Sequence, residues 1–209
     1  MKQDRRRRKA YHHGHLAESL LNAVDELATQ FGFEAVTLRG CAKRVGVAPS
    51  SAFRHYVDKR ALLTAFATRA LHQLSDAMAG AKAKARKENT NAFHAVGVAY
   101  IRFALDKPAF FRAMWREEAI YSNDDDYVAA ANALSAHIKG GFADTIEDRD
   151  ATTLSPEELL AWSSVHGLAN LFVDGPVGKG ETKTRKLKRA VEMIGALAPV
   201  FDSTSAIEK

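Results

Sequence analysis

Cysteine occurs once in the 209 residues, at position 41, so no disulfide can close within the chain and a reducing compartment suits it. No stretch approaches the roughly 18 uninterrupted apolar residues that a membrane-spanning helix needs. The basic N-terminus is followed by hydrophilic sequence where a secretory signal would require an apolar core. A cytoplasmic protein with no membrane role is therefore expected. Strand-like alternation, internal repeats and glycine-rich phosphate loops are missing as well, which leaves an all-helical reading. What is there is ordinary for a globular chain: 46% hydrophobic and 26% charged residues, enough to bury a core and to exclude disorder along the whole length.

The net charge of +5 is unevenly spread. Residues 1–60 carry twelve lysines and arginines against six acidic side chains, a net of +6, so the other 149 residues sum to −1. Concentrated positive charge at one end points to an anionic polymer as partner.

Apolar spacing marks the helices. Leu16, Leu20, Val24, Leu27, Ala28 and Phe31 follow one helical face, and Gly32 supplies a stop. Thr37 is placed to cap a short helix over Leu38–Val45, Gly46 ends it, and Pro49 suits the first turn of another that runs to about Tyr56. Asp58 can cap a longer helix, expected over 58–80, with the lysine- and alanine-rich run 82–87 as its frayed end and linker. Further helices are predicted over Asn89–Leu105, Pro108–Glu118, Tyr127–Ile146, Pro156–Asp174 and Lys183–Phe201. Ser155-Pro156-Glu157-Glu158 has the makings of a strong start: a serine cap, proline at the first position and acids in the first turn. The domains expected are a basic arm (1–14), a helix-turn-helix DNA-binding domain (15–60, leading into the 58–80 helix) and a helical domain over 81–209.

Two short helices around a tight turn can present the second to the major groove, where each base pair offers a distinct donor and acceptor pattern. Leu38–Val45 would support, Gly46-Val47-Ala48 would turn, and Pro49 to Tyr56 would read the bases. The residues themselves sharpen this. Phe33-Glu34-Ala35-Val36-Thr37-Leu38-Arg39, Ala42, Val45-Gly46-Val47, Phe53-Arg54-His55-Tyr56 and Lys59-Arg60-Ala61-Leu62-Leu63 resemble the N-terminal domain of the tetracycline-repressor (TetR) family over about Tyr11 to Leu71. Trp162, His166 and Gly167 resemble the tryptophan-histidine-glycine motif in the C-terminal domain of one TetR subgroup. Tyr11-His12-His13-Gly14-His15-Leu16 and Lys107-Pro108-Ala109-Phe110-Phe111-Arg112-Ala113-Met114 look like that subgroup too.

The resemblance implies a role for each matching position. Thr37 and Lys59 fall where the family contacts phosphates, Arg39 where a side chain reaches a base edge or phosphate, and Pro49, Ser50, Ser51, Arg54 and His55 on the groove-facing side. Phe53 stands where a tyrosine is usual and lacks its hydroxyl, so its ring is expected at the DNA backbone. Tyr56 stands where phenylalanine is usual and is expected to pack inward or to recover the lost contact. Chemically, Arg54 can fork onto guanine N7 and O6, worth ~1–3 kcal/mol of discrimination. The arm over Arg5–Lys9 can follow an adjacent minor groove or serve as a solubilising tail.

In the C-terminal half the resemblance implies a small-molecule effector held between helices. The candidate lining residues are Phe103, Phe111, Met114, Trp115, Trp162 and His166, each weighed against a plain core role. It also implies a homodimer through 156–174 and 183–201. There Ala161, Ser164, Gly167 and Ala169 would allow close approach, while Leu160, Leu168, Leu171, Val191, Ile194 and Leu197 would supply apolar area. A two-fold dimer calls for a palindromic operator. Effector binding would shift the long helix, change the separation of the reading helices and release DNA, making the protein a repressor.

Rival readings from other classes are weaker. No catalytic set, cofactor motif or metal site is predicted. His12, His13 and His15 lie in a polar tail without a cysteine or fixed partner, and Asp124-Asp125-Asp126 lacks the glycine and distant glutamate of a calcium loop and reads as a helix start. Cys41, near Lys43 and Arg44, is either a redox sensor or a packed small residue. A helical adaptor with no DNA role would not need the basic first 60 residues.

Overall fold

The computed structural model describes residues 15–139 and 154–204; the basic arm with His12 and His13, and the expected helix beyond Lys139, lie outside them. Within the described residues there are helices and no strand. They are α1 (Leu16–Phe31), α2 (Leu38–Val45), α3 (Pro49–Phe53), α4 (Lys59–Lys87), α5 (Ala92–Asp106), α6 (Pro108–Met114), α7 (Asp125–Lys139), α8 (Pro156–Val173) and α9 (Lys183–Thr204), with 3-10 turns at Phe33–Ala35 and Glu117–Ala119. The chain divides into two compact units. The first takes the described residues up to Ala70 together with Arg112–Val128; the second takes Leu71–Phe111 and the described residues from Ala129 on.

The first unit forms around α1. Leu16, Leu20, Ala23, Val24 and Ala28 are buried, whereas Phe31, expected on the same face, is 60% exposed. The reason is local: Gly32, at φ 81°, turns the chain away directly after it, and Phe33 enters the core instead. Phe33 meets Phe66 of α4, ring centroids 6.2 Å apart.

Thr37 caps α2 as its position suggests, its Oγ accepting from the Gly40 amide at 2.9 Å. Gly46 takes a left-handed conformation (φ 78°, ψ 32°), and the Val47 amide donates back to the Ala42 carbonyl at 2.9 Å, a Schellman-type closure. Proline then starts α3, which is little more than a single turn and ends at Phe53 rather than at Tyr56.

Helix α4 begins where Asp58 Oδ1 accepts from the Ala61 amide at 2.8 Å. It passes Gly80, the expected stop, and continues to Lys87. Alanine, lysine and arginine are strong helix formers, and the run after Gly80 outweighs one glycine's cost of roughly 1 kcal/mol.

In the second unit, α5 packs on α8 and α9. Gly97 permits this approach: a Cβ there would lie 3.2 Å from Ile194 Cδ1 and 3.4 Å from Val165 Cγ2. Helix α8 carries the capping box its sequence announces, with Ser155 Oγ accepting from the Glu158 amide (3.2 Å) and Glu158 Oε2 accepting from the Ser155 amide (2.9 Å). The acidic run does open α7, the Tyr127 amide donating to Asp124 Oδ1 at 3.1 Å.

The turn between α2 and α3 should be sensitive at one residue. Gly46→Ala puts a Cβ into a left-handed position and is expected to cost ~1–2 kcal/mol, read as a lower urea midpoint with an unchanged slope. Stability equal to wild type would mean that the backbone at this position relaxes freely.

Candidate nucleic-acid interface

Helix α3 turns one side chain inward. Ala52 is fully buried, while Pro49, Ser50, Phe53, Arg54 and His55 are exposed and Ser51 is half-buried. Arg54 Nη2 donates to Ser51 Oγ at 3.1 Å, which steadies a guanidinium that still faces solvent. Phe53 is 45% and Val57 76% exposed, so two apolar groups flank the polar ones. Tyr56 turns the other way. Half-buried, it directs its hydroxyl toward the Ala17 carbonyl at 3.5 Å, the edge of hydrogen-bond range, and burial pushes the phenol up.

Thr37 and Arg39 are exposed at the N-terminal end of α2. Lys59 is half-buried, and its ammonium donates to the carbonyls of Phe33 (3.0 Å) and Glu34 (3.4 Å). Two of its three donors are thus used on the 3-10 turn, and one is left for an external acceptor. The structure therefore brings Thr37, Arg39, Lys59 and the outer side of α3 into one unit, where cationic and short polar groups outnumber the apolar Pro49, Phe53 and Val57.

Cys41 is not part of this surface. Fully buried in α2, its thiol is pushed up to about 11 by desolvation, which leaves little thiolate at neutral pH and fits a packed small residue rather than a redox sensor. Among the described residues no group of three or more His, Cys, Asp and Glu side chains is arranged to hold a metal.

A second set of residues, silent in the sequence, supports the interface. The stretch Arg112–Val128 belongs to the first unit, and its contacts centre on the start of α4. Tyr121 Oη donates to Asp58 Oδ2 at 2.6 Å, and the Tyr121 amide donates to Thr64 Oγ at 2.9 Å. Arg60 donates from Nε (3.1 Å) and Nη2 (2.6 Å) to the Ile120 carbonyl, its guanidinium 4.5 Å from the centre of the Tyr121 ring. Arg116 pairs with Glu34 at 2.9 Å and lies 5.5 Å from the Phe33 ring. Asp58, Lys59 and Arg60 are consecutive, so this clamp fixes the backbone on either side of Lys59. Partners some 60 residues apart leave no local signature, which is why the pattern of the sequence does not reveal them.

The candidate effector residues divide. Trp115 is half-buried in the first unit, where Met114 is fully buried. Tyr100, Phe111, Trp162 and His166 cluster in the second. The ring of His166 lies 5.7 Å from both Phe111 and Trp162, its Nδ1 is 2.7 Å from Tyr100 Oη, and its Nε2 is 2.8 Å from Asn170 Nδ2. With the Asn170 amide donating to Nε2, the imidazole proton sits on Nδ1 and is donated to Tyr100. Burial lowers the His166 pKa, so the ring is neutral near pH 7. Phe103 lies elsewhere in the same unit, lining an open groove of about 600 Å³ along α4 and α5.

Comparison with known proteins agrees with this anatomy. The family model described as bacterial regulatory proteins, tetR family, matches residues 20–66, and the model described as tetracyclin repressor-like, C-terminal domain, matches residues 93–194. The chain is 29% identical over 94 residues to YobS of Bacillus subtilis (strain 168), an HTH-type transcriptional regulator; the match takes in 45% of this chain and spans about half, 48%, of that relative. Among solved structures, a protein of unknown function from Rhodococcus sp. RHA1 superposes with a TM-score of 0.69 at 25% identity, covering 88% of this chain and 95% of that one. The TetR family regulator PfmR from Thermus thermophilus gives 0.60 at 18% identity, covering 84% and 94%, and shares the fold.

The clamp makes a titration prediction. Hydrogen bonds from the Tyr121 hydroxyl and then the Ala61 amide hold the Asp58 carboxyl below the usual carboxylate range. A depressed folded-state pKa contributes stability above the ordinary carboxylate pKa, and that contribution is lost as pH falls through the folded value. Tyr121→Phe removes the largest cause, so the acid limb of a Tm–pH profile should become shallower while Tm near pH 7 drops. An unaltered acid limb would detach the phenol from Asp58.

Proposed function

The chain belongs to the TetR family of transcriptional regulators, which are not enzymes, and we propose that it represses transcription as a homodimer released from a palindromic operator by a small-molecule effector. One observation carries the DNA-binding part: α3 exposes Arg54 and His55 rather than packing them into the fold. We assign base reading to Arg54, His55, Ser50 and Ser51, phosphate contacts to Thr37, Arg39 and Lys59, and backbone packing to Phe53 and Pro49. A short helix opened by proline, with small hydroxyls around one arginine, lets the backbone approach the groove closely enough for the guanidinium to fork onto a base.

Dimerisation is assigned to α8 and α9. Leu160 and Leu171 of α8 and Val191 of α9 are 46%, 42% and 41% exposed, and Cβ atoms built at Gly167 and Gly195 meet nothing within 4 Å. Ala161, Ala169 and Ile194 are buried within the protomer, so they support these helices from inside rather than lining the interface. An apolar stripe of this kind on paired helices suits a four-helix contact across a two-fold axis.

Coupling follows from chain continuity. Helix α4 runs unbroken from Lys59 to Lys87, contributing its first turns to the DNA-binding unit and the remainder to the other. The clamp segment is continuous in sequence with α6 and α7. An effector that binds the released arrangement about 1.4 kcal/mol better than the DNA-bound one would weaken operator binding tenfold.

Mobility shifts on oligonucleotides selected for binding test the assignment. Arg54→Ala should lose ~5–150-fold in affinity, corresponding to ~1–3 kcal/mol, and relax preference at one base position per half-site. Lys59→Gln should weaken binding uniformly across sequences and reduce the salt slope by about 1. Wild-type affinity should fall steeply between roughly 50 and 200 mM salt. Binding that ignores both the arginine and the salt would overturn the DNA reading, and operator affinity untouched by a broad ligand panel would overturn the sensing half.

A further inference from the structure

The groove in the second unit has an unequal balance of charge. Its floor is apolar and narrow-sided: Ala77 and Ala81 from α4 face Val98, Ala99 and Phe103 from α5. Val98 to Phe103, with Ala95 beyond, extends the apolar strip along α5 for about 12 Å of helix. At the end of the groove formed by the last turn of α5 stand Arg102, Asp106 and Lys107.

The acidic groups along the groove are already engaged. Asp106 pairs with Lys183, and Glu88 pairs with Lys84 at 3.9 Å. Lys107 has neutral partners: its ammonium donates to Gln73 Oε1 at 2.6 Å and lies 5.8 Å and 5.5 Å from the ring centres of Phe103 and Phe110. Arg102 has no acidic partner among the described residues. Among the described residues neither cation is in an ion pair, and the one carboxylate beside them where the apolar trough ends, Asp106, is held by Lys183. A volume of about 600 Å³ falls within the range of small-ligand sites. Apolar floor and unneutralised cations together select an amphiphile with an anionic head.

We propose that this groove binds a small organic monocarboxylate, its apolar body over Ala77, Ala81, Val98, Ala99 and Phe103 and its carboxylate between Arg102 and Lys107. The guanidinium supplies a two-pronged donor that matches carboxylate geometry, and the ammonium adds a point charge. Neutral analogues lose both contacts while keeping the apolar ones. The groove as the effector site rests on the ligand-responsive reading above; occupation of the groove does not.

Calorimetric titration of the full chain with decanoate, at submicellar concentration, and with decanol as its uncharged counterpart separates these contributions. Decanoate should saturate one site per chain and bind at least tenfold more tightly than decanol. The pair Arg102→Gln and Lys107→Gln should weaken decanoate tenfold or more and leave decanol unchanged. Both residues are exposed, so the circular dichroism melt should match wild type. Ala99→Leu, which narrows the trough with both charges intact, should weaken decanoate and decanol alike. Equal affinity for acid and alcohol, or decanoate binding that survives the double substitution, would overturn the proposal. Mobility shifts with decanoate present then divide the two claims: saturable, charge-dependent binding that leaves operator affinity unchanged upholds the site and removes its effector role. Failure to bind any operator without ligand bears only on the regulator reading.

Discussion

A helix of five residues has no stability of its own in water, since nucleation alone consumes more entropy than one or two hydrogen bonds return. Helix α3 persists because the chain on both sides is fixed and because the methyl group of Ala52 is buried. That single small anchor is the constraint on which the interface depends. With only one side chain turned inward, Ser50, Arg54 and His55 are left on the outer surface. A larger inward residue would push the helix off its support, and a second one would take a side chain off the outer surface. The Schellman closure at Gly46 on one side and the capped start of α4 on the other complete the fixing.

The start of α4 is itself held from several directions. Asp58 receives the Ala61 amide and the Tyr121 hydroxyl, Lys59 donates to the Phe33–Ala35 turn, and Arg60 donates to Ile120. Each contact is a charge-assisted hydrogen bond, stronger than a neutral one. Their joint effect is geometric, because they fix the three residues at which Lys59, the lysine we assign to phosphate contact, enters a long helix. A free lysine samples many rotamers and must be ordered on binding, at a cost of up to ~2 kcal/mol in side-chain entropy. One already held by two carbonyls meets a phosphate with most of that ordering complete.

What could be read from the sequence was what local chemistry dictates. Thr37, Gly46, Pro49 and the Ser155–Glu158 box each fix a helix end through neighbours within a few residues, and all appear where their spacing implies. Helix lengths were harder to read. Gly80 looks like a stop because it is a glycine, yet the helix-forming run beyond it carries α4 on to Lys87. Phe31 fits an apolar period, but periodicity cannot register that the chain turns at Gly32 and sends Phe33 inward. The clamp was illegible for a related reason. Tyr121 and Asp58 carry no mark of each other, and only the fold brings them within 2.6 Å. Fold class and the outward residues of α3 lie near the surface of the sequence pattern; the residues that hold them in place do not.

The second unit contains two places that aromatic content alone makes look alike, and their physics separates them. Around His166 both ring nitrogens have partners, burial keeps the ring neutral, and Tyr100, Phe111 and Trp162 pack against it. Opening that cluster to a ligand would require breaking satisfied hydrogen bonds in a poorly solvated site, where each lost partner costs roughly 1–3 kcal/mol. Along α4 and α5 the reverse holds: the alanines Ala77, Ala81 and Ala99 of the trough are already in contact with water, and Arg102 and Lys107 are exposed and in no ion pair among the described residues. A ligand entering there displaces water from apolar surface and neutralises charge while breaking nothing inside the fold. The aromatic cluster is therefore the support that keeps α5 against α8, and the groove between α4 and α5 is where a small molecule gains most by binding.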